Sequence, residues 1–250
     1  MIWGSVAAMA PEPRIVCLVP SITELLCDLG LSGQLVGRTG FCIHPWETVK
    51  TIPKVGGTKD VKMDRVRELA PTHVVVNVDE NRKEDAEALA EFVPNVVVTH
   101  PLGPRDNLDL YRQMGREFDR EAEAEALCER FERALSRVED RPLRDVLYLI
   151  WRDPWMTISR ETYISRTLGL FNWHTVPPTA DERYPEVDLA GCEVDRVLLS
   201  SEPFHFKERH VAEVEALVPG AEVSLIDGEM TSWYGSRAIA GLEYLADYTR

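Results

Sequence analysis

Cys42 and His44 stand two residues apart in Gly40-Phe41-Cys42-Ile43-His44-Pro45-Trp46. That spacing offers a soft ligand and an imidazole to one metal ion, or a thiolate beside a base. A Cys-x-His pair is more often incidental than functional, and the positions of His100, His205 and His210 do not demand a fuller ligand set. Gly56-Gly57-Thr58-Lys59 is a second candidate, since its backbone amides could approach an anion beside the Lys59 charge. It matches neither the P-loop nor the dinucleotide-binding glycine pattern, so a tight turn before a helix is the plainer reading. No GxSxG elbow occurs, and nothing in the sequence suggests a Ser/His/Asp set. The most telling feature is aromatic: Trp46, Trp151, Trp155, Trp233 and Tyr234 all fall in or beside loops. A loop cannot bury many such rings against its own backbone, whereas a large flat ligand can use their faces. The bland alternative is that Trp151 and Trp155 plug a core between two halves of the chain.

The elements that position these residues alternate strand and helix. Arg14 to Pro20 reads as a buried parallel strand, followed by a helix with Ser21 as cap, Glu24 at the capping-box position and Gly30 at its end. Strands are expected over Gln34 to Thr39, His73 to Val78 and Asn95 to Thr99, with helices at Met63 to Leu69 and Lys83 to Phe92. The second half repeats the plan. Strands fall at Asp145 to Trp151, Trp155 to Ser159, Arg196 to Ser200 and Glu222 to Asp227, and helices at Thr162 to Leu170, Val211 to Leu217 and Arg237 to Tyr248.

Between the halves, residues 105–140 carry the longest helical pattern. Asp119 is a plausible cap, Ala124, Leu127, Phe131, Leu135 and Val138 share one face, and Pro142 stops the run. The expected organisation is therefore an α/β protein of two parallel-sheet lobes, 14–104 and 141–250, joined by one long helix over 105–140. Ligands of open parallel sheets sit at the carboxyl ends of the strands. That rule selects Phe41 to His44, Asn77 to Asn81 and His100 in the first half. In the second it selects Trp151, Ser200 to Glu202 and Asp227 to Trp233, so the ligand cleft is expected between the lobes.

Composition sets limits. A formal net charge of -14 argues against nucleic acid or an anionic membrane surface as partner. The five cysteines, with no CxxC, indicate neither a zinc site nor a disulfide framework. Met1 to Ala10 hold no Lys or Arg, although Ala8-Met9-Ala10 has the look of a cleavage tail, so the chain as given reads as cytoplasmic unless its true start lies upstream. No apolar run approaches the ~20 residues of a membrane span.

The blocks RIVCLVPSITELLCDLGL, QLVGRTGFCIHP, PKVGGTKDVKMDRVRELAPTHVVV and LIDGEMTSWYGSR, with the long helical stretch among them, carry a resemblance. From about Arg14 to Tyr248 the chain resembles the class III, or helical-backbone, substrate-binding proteins of ABC importers, on the vitamin B12 and ferric siderophore side of that group. The resemblance implies two α/β lobes on a rigid helix and a corrinoid, haem or ferric siderophore as ligand. It also implies no catalysis, no required cofactor, a monomer, an ABC permease as partner and a periplasmic location. Carried over by position, Phe41, Tyr184 and Trp151 match aromatic cleft positions, and Glu229 matches an acid. Trp233 stands where the relatives have a basic residue, and Thr58 where they have tryptophan. Lys59 of the glycine turn and Tyr234 of the loop aromatics, read from the residues themselves, are added to the expected ligand contacts. Asp64 matches one transporter-docking carboxylate, and Glu186 or Asp188 the other. A cytoplasmic metal-handling protein or enzyme on the same fold, using Cys42 and His44, is the alternative.

Overall fold

The computed structural model describes residues 12–178 and 181–250. The expectations for Met1 to Ala10, and part of those for the proline-rich stretch 176–185, lie outside these residues. The chain divides into two compact units at His100/Pro101.

The first unit runs β1 (Ile15–Cys17), α1 (Pro20–Asp28), β2 (Leu35–Arg38), α2 (Trp46–Val49), α3 (Met63–Leu69), β3 (His73–Asn77), α4 (Lys83–Ala90) and β4 (Asn95–Thr99). Its four strands are all parallel, in the order β2-β1-β3-β4. The central strands are buried on both faces, which is why β1 and β3 read as unbroken apolar runs rather than as alternation. Val16, Leu18, Val55, Val66, Val74, Val76, Leu89 and Val93 form a core on the sheet. α1 begins one residue before the expected cap. Pro20 occupies its first turn, where a missing N–H costs nothing, and the buried Ser21 hydroxyl makes no cap.

The second unit opens with α5 (Asn107–Glu117) and α6 (Glu121–Leu135), then β5 (Arg144–Leu149), α7 (Tyr163–Gly169), β6 (Trp173–Thr175), β7 (Arg196–Ser200), α8 (Glu208–Leu217), β8 (Glu222–Ile226), α9 (Gly228–Ser232) and α10 (Arg237–Tyr248). Its sheet is again parallel and repeats the strand order of the first, β6-β5-β7-β8. The protein is thus two α/β units with parallel sheets, joined through long helices.

The single helix expected over 105–140 is in fact two. Asp119 does not cap it. Its φ of 53° puts it in the left-handed region, which Asp tolerates better than most residues, and the chain reverses there. α5 and α6 form an antiparallel hairpin, sealed by Arg112–Glu125 bonds of 2.7 and 3.0 Å and an edge-on Tyr111–Phe131 pair. Close approach depends on Gly115, where a Cβ would lie 2.7 Å from Ala124 Cβ. The hairpin belongs to the second unit, with α6 against α10. The strand expected over Trp155 to Ser159 is reduced to isolated bridges of Met156 with Trp151 and Glu186.

Candidate functional site

In each sheet the order of strands reverses between the first strand and the third, and the chain leaves their carboxyl ends in opposite directions. Such a point leaves a crevice that open parallel sheets use for ligands. In the first unit it lies between β1 and β3. Asn81 bridges it, accepting from Asn77 N at 2.8 Å and donating to the carbonyls of Thr58 at 2.9 Å and Leu18 at 3.5 Å. Asn77 in turn takes the amides of Asp79 and Glu80 and donates to Thr99. The loops that follow β1 and β3, and the glycine loop, are therefore tied to one another by two buried asparagines. Asn81 ended the range singled out at the β3 edge, but its role as a tie needs the fold to become visible.

The glycine loop is a tight turn. Gly57 N donates to Asp60 O at 3.0 Å and Gly40 N to Gly56 O at 2.8 Å. Phe41 is exposed, and a Cβ at Gly57 would lie 3.4 Å from its ring. Thr58 is half-buried and Lys59 exposed on the same turn. His100 reaches Asp79 at 3.6 Å.

Cys42 is fully buried, its sulfur 3.1 Å from Thr39 Oγ1, and burial pushes the thiol pKa up, which disfavours the thiolate that a nucleophile or metal ligand needs. His44 is only half-buried. Among the described residues no group of three His, Cys, Asp or Glu is placed to hold a metal ion.

In the second unit the crevice lies between β5 and β7. Trp151, just beyond β5, packs edge-on against Phe204, just beyond β7, with centroids 5.7 Å apart, and remains part exposed. Tyr148, on β5, makes hydroxyl hydrogen bonds with Ser200 Oγ at 3.0 Å and with Thr231 Oγ1 at 2.6 Å; burial drives its phenol pKa upward. Around this buried knot lies a charged group. Glu202 accepts from Trp233 Nε1 at 3.1 Å, Arg237 pairs with Glu229 at 3.1 Å, and the Arg237 guanidinium lies 5.1 Å from the centre of the Trp233 ring. Partial burial first, and then the neighbouring Glu229, raise the Glu202 pKa. α9 starts tightly here because residue 228 is glycine; a Cβ would meet Ser200 Oγ at 2.6 Å and Glu202 N at 2.8 Å. Asp227 caps α9 by accepting from Met230 N.

Glu229 and Trp233 are thus brought together with Glu202, which the strand-end rule selects from the sequence two residues past β7, and with Arg237, which the sequence did not single out. Arg237 lies on α10 and joins only through the fold. Tyr234 turns inward instead, against Tyr163 with centroids 5.9 Å apart, and offers its ring to the core. Tyr184 is exposed, as are Glu186 and Asp188, whose carboxylate accepts from Ala190 N at 3.0 Å in a local turn. Asp64 is exposed in the first turn of α3.

The "Vitamin B12-binding protein" of Vibrio campbellii is 23% identical over 214 residues, covering 81% of this chain and 73% of that protein. The crystal structure of the periplasmic vitamin B12-binding protein BtuF of Vibrio cholerae matches with a TM-score of 0.81 at 15% identity, over 96% of this chain and 97% of that one. The periplasmic heme-binding protein RhuT from Roseiflexus sp. RS-1, in apo form, matches with a TM-score of 0.80 at 18% identity, over 95% and 98%. These structures share the fold, and the family model described as periplasmic binding protein matches residues 15–171, more than half of the sequence. The chain belongs to the periplasmic binding protein family.

Proposed function

We propose that this protein is the solute-binding component of an ABC importer and that its ligand is a metal chelate of corrinoid, haem or ferric siderophore size. The observation that carries the reading is the pair of exposed aromatic side chains, Phe41 and Trp151, each at the carboxyl edge of a sheet with the same strand order. Exposed rings at that edge serve a ligand with large apolar faces. Relatives named for vitamin B12 and heme binding support this ligand class. Phe41, Trp151, Tyr184 and Trp233 supply apolar contact, and Thr58, Lys59 and Glu229 orient the polar rim. Tyr234 supports the Trp233 loop from within. As a solute-binding protein of this family, the chain binds and releases without catalysis.

The family is of periplasmic type, and no helix among the described residues is long and apolar enough to cross a membrane. We take the periplasm as the site of action and a permease as the partner, met through Asp64 on one unit and Glu186 on the other. The protein acts as a monomer. The test is titration of cyanocobalamin, haemin and a ferric hydroxamate siderophore against intrinsic tryptophan fluorescence, with thermal unfolding in parallel. Ligand at a hundredfold excess over Kd stabilises by about 2.7 kcal/mol, so binding also raises the unfolding temperature. Quenching and a raised Tm with at least one chelate are expected. No response to any of them refutes the reading.

A further inference from the structure

The segment that follows β2 alternates between what it buries and what it presents. Cys42 and Val49 are fully buried, whereas Phe41 is 62%, Ile43 39% and Trp46 53% exposed. Internal tethers enforce this pattern. The Cys42 sulfur sits by Thr39 Oγ1 at 3.1 Å and points to the Cys17 carbonyl at 3.9 Å. Arg38, 1% exposed, donates from Nε to the Val49 carbonyl at 2.6 Å and from Nη1 to the Thr39 carbonyl at 3.0 Å. Thr48 N and Val49 N both bond Pro45 O at 3.0 Å, closing the turn beneath Trp46.

The loop is thus fixed at residues 39, 42, 45 and 49. The buried Arg38 guanidinium pins the two ends of the segment at residues 39 and 49, and freeing them would leave its donors unpaired at a cost. Large apolar side chains on a segment tied in this way lose little freedom when a ligand lands, which is the condition for an efficient contact. From 41 to 46 the only titratable side chains are the buried Cys42 and the half-buried His44. The surface therefore suits the hydrocarbon or π face of a ligand rather than its charged rim.

We propose that Ile43 and Trp46 join Phe41 as ligand-contacting residues, forming an apolar floor in the first unit for one face of the chelate. The inference rests on the chelate-binding reading above. The occupant is the ligand rather than a partner protein, because the segment leaves the carboxyl end of β2 and Phe41 lies against Gly57 of the glycine turn at the same sheet edge.

Ile43→Ala and Trp46→Ala are measured against whichever of cyanocobalamin, haemin and the ferric hydroxamate binds the wild-type protein. Each variant should weaken Kd about tenfold or more, which is about 1.4 kcal/mol of lost contact, with Tm in the absence of ligand unchanged. Trp46→Phe, which keeps an aromatic face, should restore most of the affinity. Leu217→Ala removes another exposed apolar side chain, at the end of α8, and should change nothing. Binding by both alanine variants within twofold of wild type overturns this inference and leaves the chelate reading standing. Absence of binding by the wild-type protein overturns both.

Discussion

Gly56 and Gly57 are adjacent and chemically identical, yet alanine should have very different consequences at the two positions. Gly56 has a φ of +116°, and a Cβ there would stand 2.2 Å from the Asp60 carbonyl oxygen and 3.1 Å from Lys62 N. Both are backbone atoms held in place, the first by Gly57 N at 3.0 Å and the second by Val55 O at 2.7 Å. No side-chain rotation relieves the clash. Holding alanine in that conformation costs about 1–3 kcal/mol, and opening the two backbone bonds costs about 1 kcal/mol each. The expected loss for Gly56→Ala is therefore about 3–5 kcal/mol. At Gly57 the added Cβ would meet only the Phe41 ring, at 3.4 Å, and Asp60 N, at 4.0 Å. Phe41 is exposed and can give way. Because alanine also restricts the unfolded chain, Gly57→Ala should alter stability by less than about 1 kcal/mol. Urea denaturation followed by circular dichroism measures both. If Gly56→Ala stays within about 1 kcal/mol of wild type, or Gly57→Ala loses more than about 2, the account of this turn is wrong.

The hairpin gives a coupled pair. Gly115→Ala gains about 1 kcal/mol of helix propensity but collides with Ala124, so overpacking at about 1–3 kcal/mol should leave it net destabilised. Adding Ala124→Gly should recover part of that loss, and strict additivity in the double-mutant cycle would disprove the contact. Glu202 gives a pH dependence. Its pKa is raised in the folded protein from an ordinary 4.5, so the folded state keeps a proton that the unfolded chain has released. Stability from this group is then fully present below the unfolded value and declines as pH rises through the folded one. Glu202→Gln, which can still accept from Trp233, should flatten that decline and be the more stable protein at pH 8. Urea midpoints from pH 4 to 8 check it, and a variant less stable than wild type at pH 8 contradicts it. Asp64→Lys combined with Glu186→Lys should abolish uptake in a reconstituted transporter while changing stability by less than about 1 kcal/mol and leaving chelate affinity intact. Uptake that survives the double reversal removes the docking role.

Much of the fold could be read from local pattern, because central parallel strands must be apolar on both faces. Asn95–Thr99, Arg196–Ser200, Met63–Leu69 and Arg237–Tyr248 fall where the pattern puts them. What escaped was short or reversed without the usual signal. β6 has three residues and pairs only with β5 at the sheet edge, so no run of sequence marks it. α9 has five, and its sign is only Asp227 ahead of a glycine. The break at Asp119 falls between Phe118 and Arg120, with neither glycine nor proline to announce it, and an apolar face that recurs on both sides reads as one helix.

The candidate site was legible to the level of the loop but not of the side chain. Strand ends are visible in sequence, so the rule that ligands meet parallel sheets at their carboxyl edges reached Phe41, Trp151, Glu202 and Trp233. Direction is a different matter, because it is set by partners distant along the chain. Cys42 points inward because Thr39 and the end of β1 receive it, and the residues on either side are thereby turned outward. Tyr234 follows Trp233 directly, yet it goes to the core because Tyr163 waits there, held in turn by Asn107 at 2.8 Å. Trp233 stays at the edge because Glu202 takes its N–H and Arg237 covers its ring. A reactive-looking Cys-x-His pair and an exposed tryptophan four residues from a buried thiol are equivalent in sequence. Thr39 and the Cys17 carbonyl receive the thiol, and the buried guanidinium of Arg38, tying Thr39 to Val49, holds the two ends of the segment on which Phe41, Ile43 and Trp46 are exposed.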